Sequence, residues 1–413
     1  MTVKELGVLT KQASKVLPTI DTEVKQKILQ EMADQLLQEQ TKIIEVNQID
    51  LDQAEKNGLS AAMIDRLRLN EKRILGMAES LREVAELEDV VGQIAEEYTR
   101  PNGLVVQRKR IPLGVIGVIY ESRPNVTVEA ASLCFYAGNG LLLRGGSEAF
   151  HSNQVLVEIL KKVLTRHDLE NVINMVATTD RSTVDEMAKL NEELDVIIPR
   201  GGEGLIRRIY EVSTVPVIAH YKGNCHVYVD DSADLDQAIE ICMNAKVQRP
   251  GVCNAMESLL VHQDIADAIM PALVDQLDKA GVEIRGCPET QKYSKKIIAA
   301  TEKDYDTEFL DLILSVRVVG DVNAAIDHIQ TYTSDHTEAI LSKNVANIDR
   351  FARALDSSAI MVNTSTRFND GGQLGLGAEI GISTTKLHSF GPMGLRELTT
   401  TKFVVTGDGQ VRS

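Results

Sequence analysis

Apolar residues recur at helical spacing near the start of the chain. Val24, Ile28, Met32 and Leu36 share one face, and Met63, Leu67, Ile74 and Leu81 continue the pattern. Asp21 stands where a helix N-cap belongs. The first ninety residues are therefore predicted to form a helical layer. From about residue 113 the texture changes. Short Val- and Ile-rich runs, GVIGVIYE (114–121), LLLR (141–144), VINMVA (172–177), DVIIP (195–199) and VPVIA (215–219), alternate with helix-length segments such as 147–166 and 181–190. Strands buried on both faces read as continuous apolar runs, so this alternation predicts a parallel sheet covered by helices.

A second block of the same kind opens at HVYVD (226–230) and passes through the strand-like MESLLVH and VEIRG to a late AIMVN (359–363). Two α/β blocks imply two domains with a cleft between them, with seams in the Gly-rich stretches 200–204 and 220–225. Two segments fit neither block. EEYTRPNGLVVQRKRIP (96–112) alternates about a PNG turn as a hairpin does, and the tail LTTTKFVVTGDGQV is also β-like. An isolated hairpin is marginal alone, so these two are expected to pair with each other or with another subunit.

Composition narrows the function. With 413 residues the chain is long enough for two or three cores, and 43% hydrophobic with 25% charged residues is ordinary for a globular protein. The net charge of −16 argues against nucleic acid and anionic membranes as partners, and an anionic substrate would need a local basic pocket. Aromatics are only 4% and Trp is absent, which disfavours base stacking. Five cysteines at irregular spacing, with no CxxC, suggest neither a disulfide framework nor a zinc cage. No apolar run approaches the roughly 20 residues that span a bilayer, and the N-terminus lacks a signal-peptide core. A reducing cytoplasm is the expected location.

Cys253, in KVQRPGVCNAMESLLVH, falls in a loop between a helix and a strand. Lys246 and Arg249 precede it and would favour thiolate over thiol; an inert buried cysteine is the competing reading. PRGGEGLI (199–206) and LLLRGGSEA (141–149) each join a strand to a helix through glycines. Such turns present N–H groups to a phosphate, and Arg144 would meet a ribose or its 2′-phosphate, although a plain turn and a surface salt bridge read equally well. In YESRPNVTVEAA, Arg123 and Asn125 follow a strand; an amide there suits either an oxyanion or a turn. The Gly-dense GQLGLGAEIGISTTKLHSFGPMGLREL (372–398) reads as a loop passing close to a ligand or as a connector.

GVIYESRPNVT, LLLRGGSEA, IPRGGEGLI, KGNCHVYVD, QRPGVCNA and HSFGPMGLRELTT together resemble the aldehyde dehydrogenase superfamily from about residue 110 onward. Within it they are most similar to the glutamate-5-semialdehyde dehydrogenase (gamma-glutamyl phosphate reductase) family. The resemblance implies an α/β fold with two parallel-sheet domains and a small β oligomerisation flap. Residues 1–95 and 113–224 would form the NADP-binding domain, 225–370 the catalytic domain, and 96–112 with 397–413 the flap. It implies Cys253 as nucleophile, Asn125 as oxyanion donor, and Arg123, Lys246 and Arg249 as substrate or phosphate ligands. NADP(H) would lie against Arg144, Gly145, Gly146, Ser147, Pro199, Arg200, Gly201, Gly202, His388 and Phe390. The implied reaction is NADPH-dependent reduction of L-glutamyl 5-phosphate to L-glutamate 5-semialdehyde in proline biosynthesis. It needs no metal, and the enzyme would be a homo-oligomer linked functionally to a glutamate 5-kinase. Two departures matter. Hydrolytic relatives carry one glutamate that activates water and another before Phe-Gly-Pro, whereas this chain has His220 and His388 there. A hydrolytic NAD(P)-dependent aldehyde dehydrogenase is the alternative, and it lacks both expected glutamates.

Overall fold

The computed structural model describes residues 1–412, apart from the side chain of Ala62; Ser413, the end of the expected flap, lies outside the described residues. The chain divides into two compact units, one of Met1–Ala219, Gly375–Gly381 and the residues from Met393 onward, the other of His220–Leu374 and Ile382–Pro392.

The first unit opens with helices Val3–Ser14, Thr22–Gln38, Gln40–Lys56, Ala61–Leu67 and Glu71–Glu86. Thr2, Ser60 and Asn70 cap three of them by accepting backbone N–H groups. Asp21 holds the N-cap position of the second helix but makes no side-chain cap bond. Ile28, Met32 and Leu36 are wholly buried, each contributing about 1.5–3 kcal/mol by leaving water. Val24 and Met63 break the expected stripe and are exposed.

Strands β1 (Ile94–Thr99) and β2 (Val105–Pro112) form an antiparallel hairpin. Then β3 (Val115–Tyr120), β4 (Gly140–Gly145), β5 (Ile173–Met175) and β6 (Val196–Arg200) form a parallel sheet in the order β5-β4-β3-β6. The expected strand at 215–219 is reduced to one parallel bridge, Val217 to Ile197. Pro216 accepts from Ile197 but has no N–H to return, which limits the ladder.

The second unit contains β7 (Cys225–Val229), β8 (Met256–His262), β9 (Glu283–Gly286), β10 (Ile298–Ala299), β11 (Ile313–Val319), β12 (Thr337–Leu341) and β13 (Ala359–Val362). They form one parallel sheet in the order β10-β9-β11-β8-β7-β12-β13. Short strands β14 (Gly381–Ser383) and β15 (Gly391–Met393) pair with each other. The tail strand β16 (Thr399–Thr406) runs antiparallel to β2, from Thr399 opposite Pro112 to Thr406 opposite Val105. Of the two expected partners, the tail takes the hairpin of its own chain, so its ladder does not require a neighbour.

Candidate active site

Helix Leu235–Val247 ends just before a turn that leads into β8, and Cys253 lies in that turn. The turn is held tightly from behind. A Cβ at Gly223 would lie 2.0 Å from the Cys253 carbonyl oxygen, so only glycine fits there. The Cys225 thiol donates to that same oxygen at 3.1 Å.

Two imidazoles flank the thiol. The sulfur of Cys253 and one nitrogen each from His220 and His336 lie within 4.8 Å of one another, and the two rings meet edge-on with centroids 5.2 Å apart. His220 Nδ1 is 2.8 Å from the Ile382 carbonyl. A carbonyl only accepts, so Nδ1 carries a proton, and Nε2 is the ring atom that can accept one. His336 is fully buried, with Nδ1 against Thr337 Oγ1 at 2.7 Å and Nε2, among the described residues, without a hydrogen-bond partner. Burial opposes ionisation of Cys253. The attraction of His336 and the hydrogen bond with His220 outweigh it and hold the thiol well below the ordinary cysteine range. Three other cysteines differ: burial pushes Cys134 and Cys225 upward and Cys242 up to about 12.

Lys246 does not supply the cation expected beside Cys253. Its side chain is wholly buried and paired at 2.5 Å with Glu257, which is equally buried and also accepts the Leu310 N–H. Burial pushes Glu257 up to about 7 against the pull of Lys246. The pair pins β8 from inside the sheet and touches no solvent. Lys246→Met is therefore expected to destabilise the fold by about 3–5 kcal/mol, the cost of stranding a buried partner. Chemical denaturation would check this; a variant as stable as the parent would remove the structural role.

Arg249 is exposed, and a second arginine, missed in the sequence, joins it. Arg367 donates to Gln248 Oε1 at 2.7 Å and to Asn254 Oδ1, and the charges of Arg249 and Cys253 both act on it. Glu308 was also missed. Burial raises its pKa, the Gly223 N–H lowers it, and the charges at Cys253, His220 and His336 act on it. Arg367 lies in an ordinary-looking TSTRFND stretch and Glu308 in DTEFLD, far from Cys253 in sequence; neither segment has a distinguishing pattern.

In the first unit, a cleft of about 520 Å³ is lined by residues including Arg144, Gly146, Ser147, Thr179 and Arg181. Gly145 ends β4, while Pro199 and Arg200 end β6, so the two glycine turns flank β3. Arg144 donates to the Gly145 carbonyl at 3.0 Å and to the Thr179 and Asp180 carbonyls at 3.4 and 3.3 Å. Its Nε is buried and, among the described residues, unpartnered. One of the N–H groups expected to face a phosphate already has a partner, and a carboxylate from the second glycine turn reaches the loop after β3. Glu121 Oε2 accepts the Gly202 N–H at 2.9 Å, and Glu148 Oε1 accepts the Ser122 N–H and hydroxyl at 2.5 and 2.7 Å. A carboxylate thus already sits where an anion is favoured.

Asn125 begins helix Asn125–Tyr136, with one amide N–H donated to Glu129 Oε1 at 2.7 Å; Arg123 precedes it in the loop after β3. His388 is exposed with a left-handed φ of 74°, and Phe390 is exposed two residues on.

Residues 3–292 match the Aldehyde dehydrogenase family. The chain is 54% identical over 411 residues, 99% of its length and 99% of the relative's, to a gamma-glutamyl phosphate reductase of Carboxydothermus hydrogenoformans. It belongs to the gamma-glutamyl phosphate reductase family of aldehyde dehydrogenases. A second member, from Citrifermentans bemidjiense, is 52% identical over 99% of this chain and 98% of its own. The solved gamma-glutamyl phosphate reductase of Thermotoga maritima superimposes with a TM-score of 0.98 at 46% identity, covering both chains completely. An acetylating aldehyde dehydrogenase from Geobacillus thermoglucosidasius shares the fold alone, with a TM-score of 0.70 at 17% identity over 100% of this chain and 97% of that one. Family membership makes the chain an oxidoreductase that uses a nicotinamide cofactor, and fixes the fold expected from the sequence. No helix among the described residues is long and apolar enough to cross a membrane.

Proposed function

We propose that this enzyme reduces L-glutamyl 5-phosphate to L-glutamate 5-semialdehyde with NADPH, releasing phosphate, as a step of proline biosynthesis in the cytoplasm. The observation that carries the reading is a depressed Cys253 thiol between two imidazoles, next to two arginines and without the glutamate of the hydrolytic relatives at position 220. His220 Nε2 accepts the thiol proton, and the thiolate attacks the acyl carbonyl. The backbone N–H of Cys253 steadies the oxyanion, and Asn125, with one amide N–H not given to Glu129, is kept as the second candidate donor. Arg249 and Arg367 hold the phosphate and ease its departure, which leaves a thioester on Cys253. Arg123 is kept as a substrate ligand. A kinase that phosphorylates the glutamate side chain must supply this unstable acyl phosphate, which makes a glutamate 5-kinase the natural functional partner.

The cleft at Arg144 fits a phosphorylated ribose, because the buried Nε of its guanidinium has, among the described residues, no hydrogen-bond partner, and the charges of Glu148, Glu121 and Asp180 that act on it leave that donor unused. When bound, NADPH supplies the hydride that reduces the thioester. Glu121 is exposed and would swing from Gly202 to admit a pyrophosphate, while His388 and Phe390 are kept as nicotinamide-side contacts. Loss of a charge-assisted contact costs about 1.5–3 kcal/mol, so Arg144→Ala is expected to weaken NADPH by about 10–150-fold and NADH much less. Fluorescence titration with both cofactors checks this; equal losses would make Arg144 structural.

The flap is the proposed oligomer contact. It leaves Ile94, Tyr98, Phe403 and Val405 exposed, an unusual set for a free surface. Removing the tail after Glu397 is expected to dissociate a homo-oligomer, and unchanged mass by light scattering would refute the role. The reaction itself is tested by following NADPH formation from glutamate semialdehyde with and without phosphate.

A further inference from the structure

The three groups at the nucleophile have a second use. We propose that Cys253, His220 and His336 form a three-ligand site for a borderline-soft divalent cation such as Zn²⁺, which turns the enzyme off reversibly by capturing its nucleophile. One thiolate and two imidazoles are the donor set such ions prefer, and three protein ligands with an open fourth position is the usual form of an accessible zinc site. Hard cations such as Mg²⁺ or Ca²⁺ would find no oxygen among these three ligands.

The geometry supports this independently of the reaction. All three ligand atoms lie within 4.8 Å of one another. Zinc bonds of about 2.0–2.3 Å place tetrahedral ligands roughly 3.3–3.8 Å apart, so a contraction of about 1 Å closes the site. His220 and Cys253 both lie in non-helical, part-exposed segments that can supply it. The other imidazole needs no rearrangement of its partners. Among the described residues, His336 Nε2 is a fully buried nitrogen without a hydrogen-bond partner, which is costly unless something binds it. Both rings also have the outer contacts that orient metal-binding histidines: Nδ1 of His220 on the Ile382 carbonyl, and Nδ1 of His336 on Thr337 Oγ1. Any thiol proton still present leaves to solvent when the ion binds, and water fills the fourth position.

The test uses the full-length enzyme in metal-free buffer with Zn²⁺ or Co²⁺ as probe. One Zn²⁺ per chain is expected by competition with a chromogenic chelator, Zn²⁺ should block alkylation of Cys253, and chelation should reverse the block. Co²⁺ should give a thiolate-to-metal band in the near ultraviolet that Cys253→Ser abolishes. His336→Gln and the more exposed His220→Gln should each weaken binding at least about 100-fold, since outer contacts alone carry about 10–100-fold. These readouts need no turnover, so they are decided separately from the proposed reductase activity. Zn²⁺ that leaves Cys253 fully alkylatable, or affinity unchanged in both Cys253→Ser and His220→Gln, would overturn the site.

Discussion

Cys253→Ser is expected to lower turnover by about 10⁴–10⁶-fold, the scale on which enzymes lose activity with their nucleophile. The environment that depresses the thiol is built for sulfur. Attraction to His336 and the bond with His220 overcome burial for a group that ordinarily ionises a little above neutrality. A serine hydroxyl starts so much higher that the same two imidazoles leave it protonated. NADPH binding should survive, because the Arg144 cleft is lined by residues of the first unit alone. Alkylation gives a second readout. Cys253 should react first and be protected by substrate, while Cys134 and Cys242, buried and shifted upward, stay unmodified. Near-normal turnover in the serine variant, or earlier labelling of Cys242, would remove Cys253 from the mechanism.

In the oxidative direction, NADPH formation from glutamate semialdehyde should rise from near zero with added phosphate and then saturate. The acyl-enzyme is broken only by a nucleophile. Water needs a positioned base, commonly worth about 10²–10⁴-fold, whereas phosphate dianion is already nucleophilic. His220 occupies the position of the water-activating glutamate in hydrolytic relatives, and Glu308, the carboxylate that does act on this cluster, is pushed by burial toward its neutral form. Phosphate must still be held by a chain of net charge −16, which calls for a local device, and Arg249 with Arg367 provides it. Steady turnover in phosphate-free buffer, with glutamate as product, would restore the hydrolytic alternative and assign Glu308 or His220 as its base.

The elements legible in the sequence were those whose local pattern and tertiary role agree. β3, β4 and β8 are apolar runs buried on both faces, and they read as parallel strands at once. β11 and β12 were missed. ILSVRVV carries an arginine, and TEAIL carries Glu338, whose wholly buried carboxylate accepts both the backbone and ring N–H of His226 at 2.9 Å. A charged residue satisfied by a partner on the next strand looks, in one dimension, like a surface residue. The same reasoning explains the site. Cys253 announced itself by its loop and its glycine, and His220 by standing where a glutamate was expected. His336 is unremarkable in sequence, and becomes functional only because β12 is inserted between β7 and β13. Lys246 shows the opposite limit: it is close to Cys253 along the chain, but nothing in one dimension announces that its side chain is wholly buried and paired with Glu257.

The position of β16 constrains how the molecule is made. β2 emerges early in synthesis, yet one of its edges is completed only when the stretch beginning at Thr399 arrives to face Pro112. At about 5–20 residues per second, the ribosome takes on the order of 15–60 s to cover that interval. Throughout it, Val105 and Val106 lie on a nascent strand with unpaired N–H and C=O groups along one side, open to any complementary segment. The strand that fits best is the tail of an identical chain finishing on the same messenger. A tail exchanged between neighbouring chains would satisfy the same eight residue pairs.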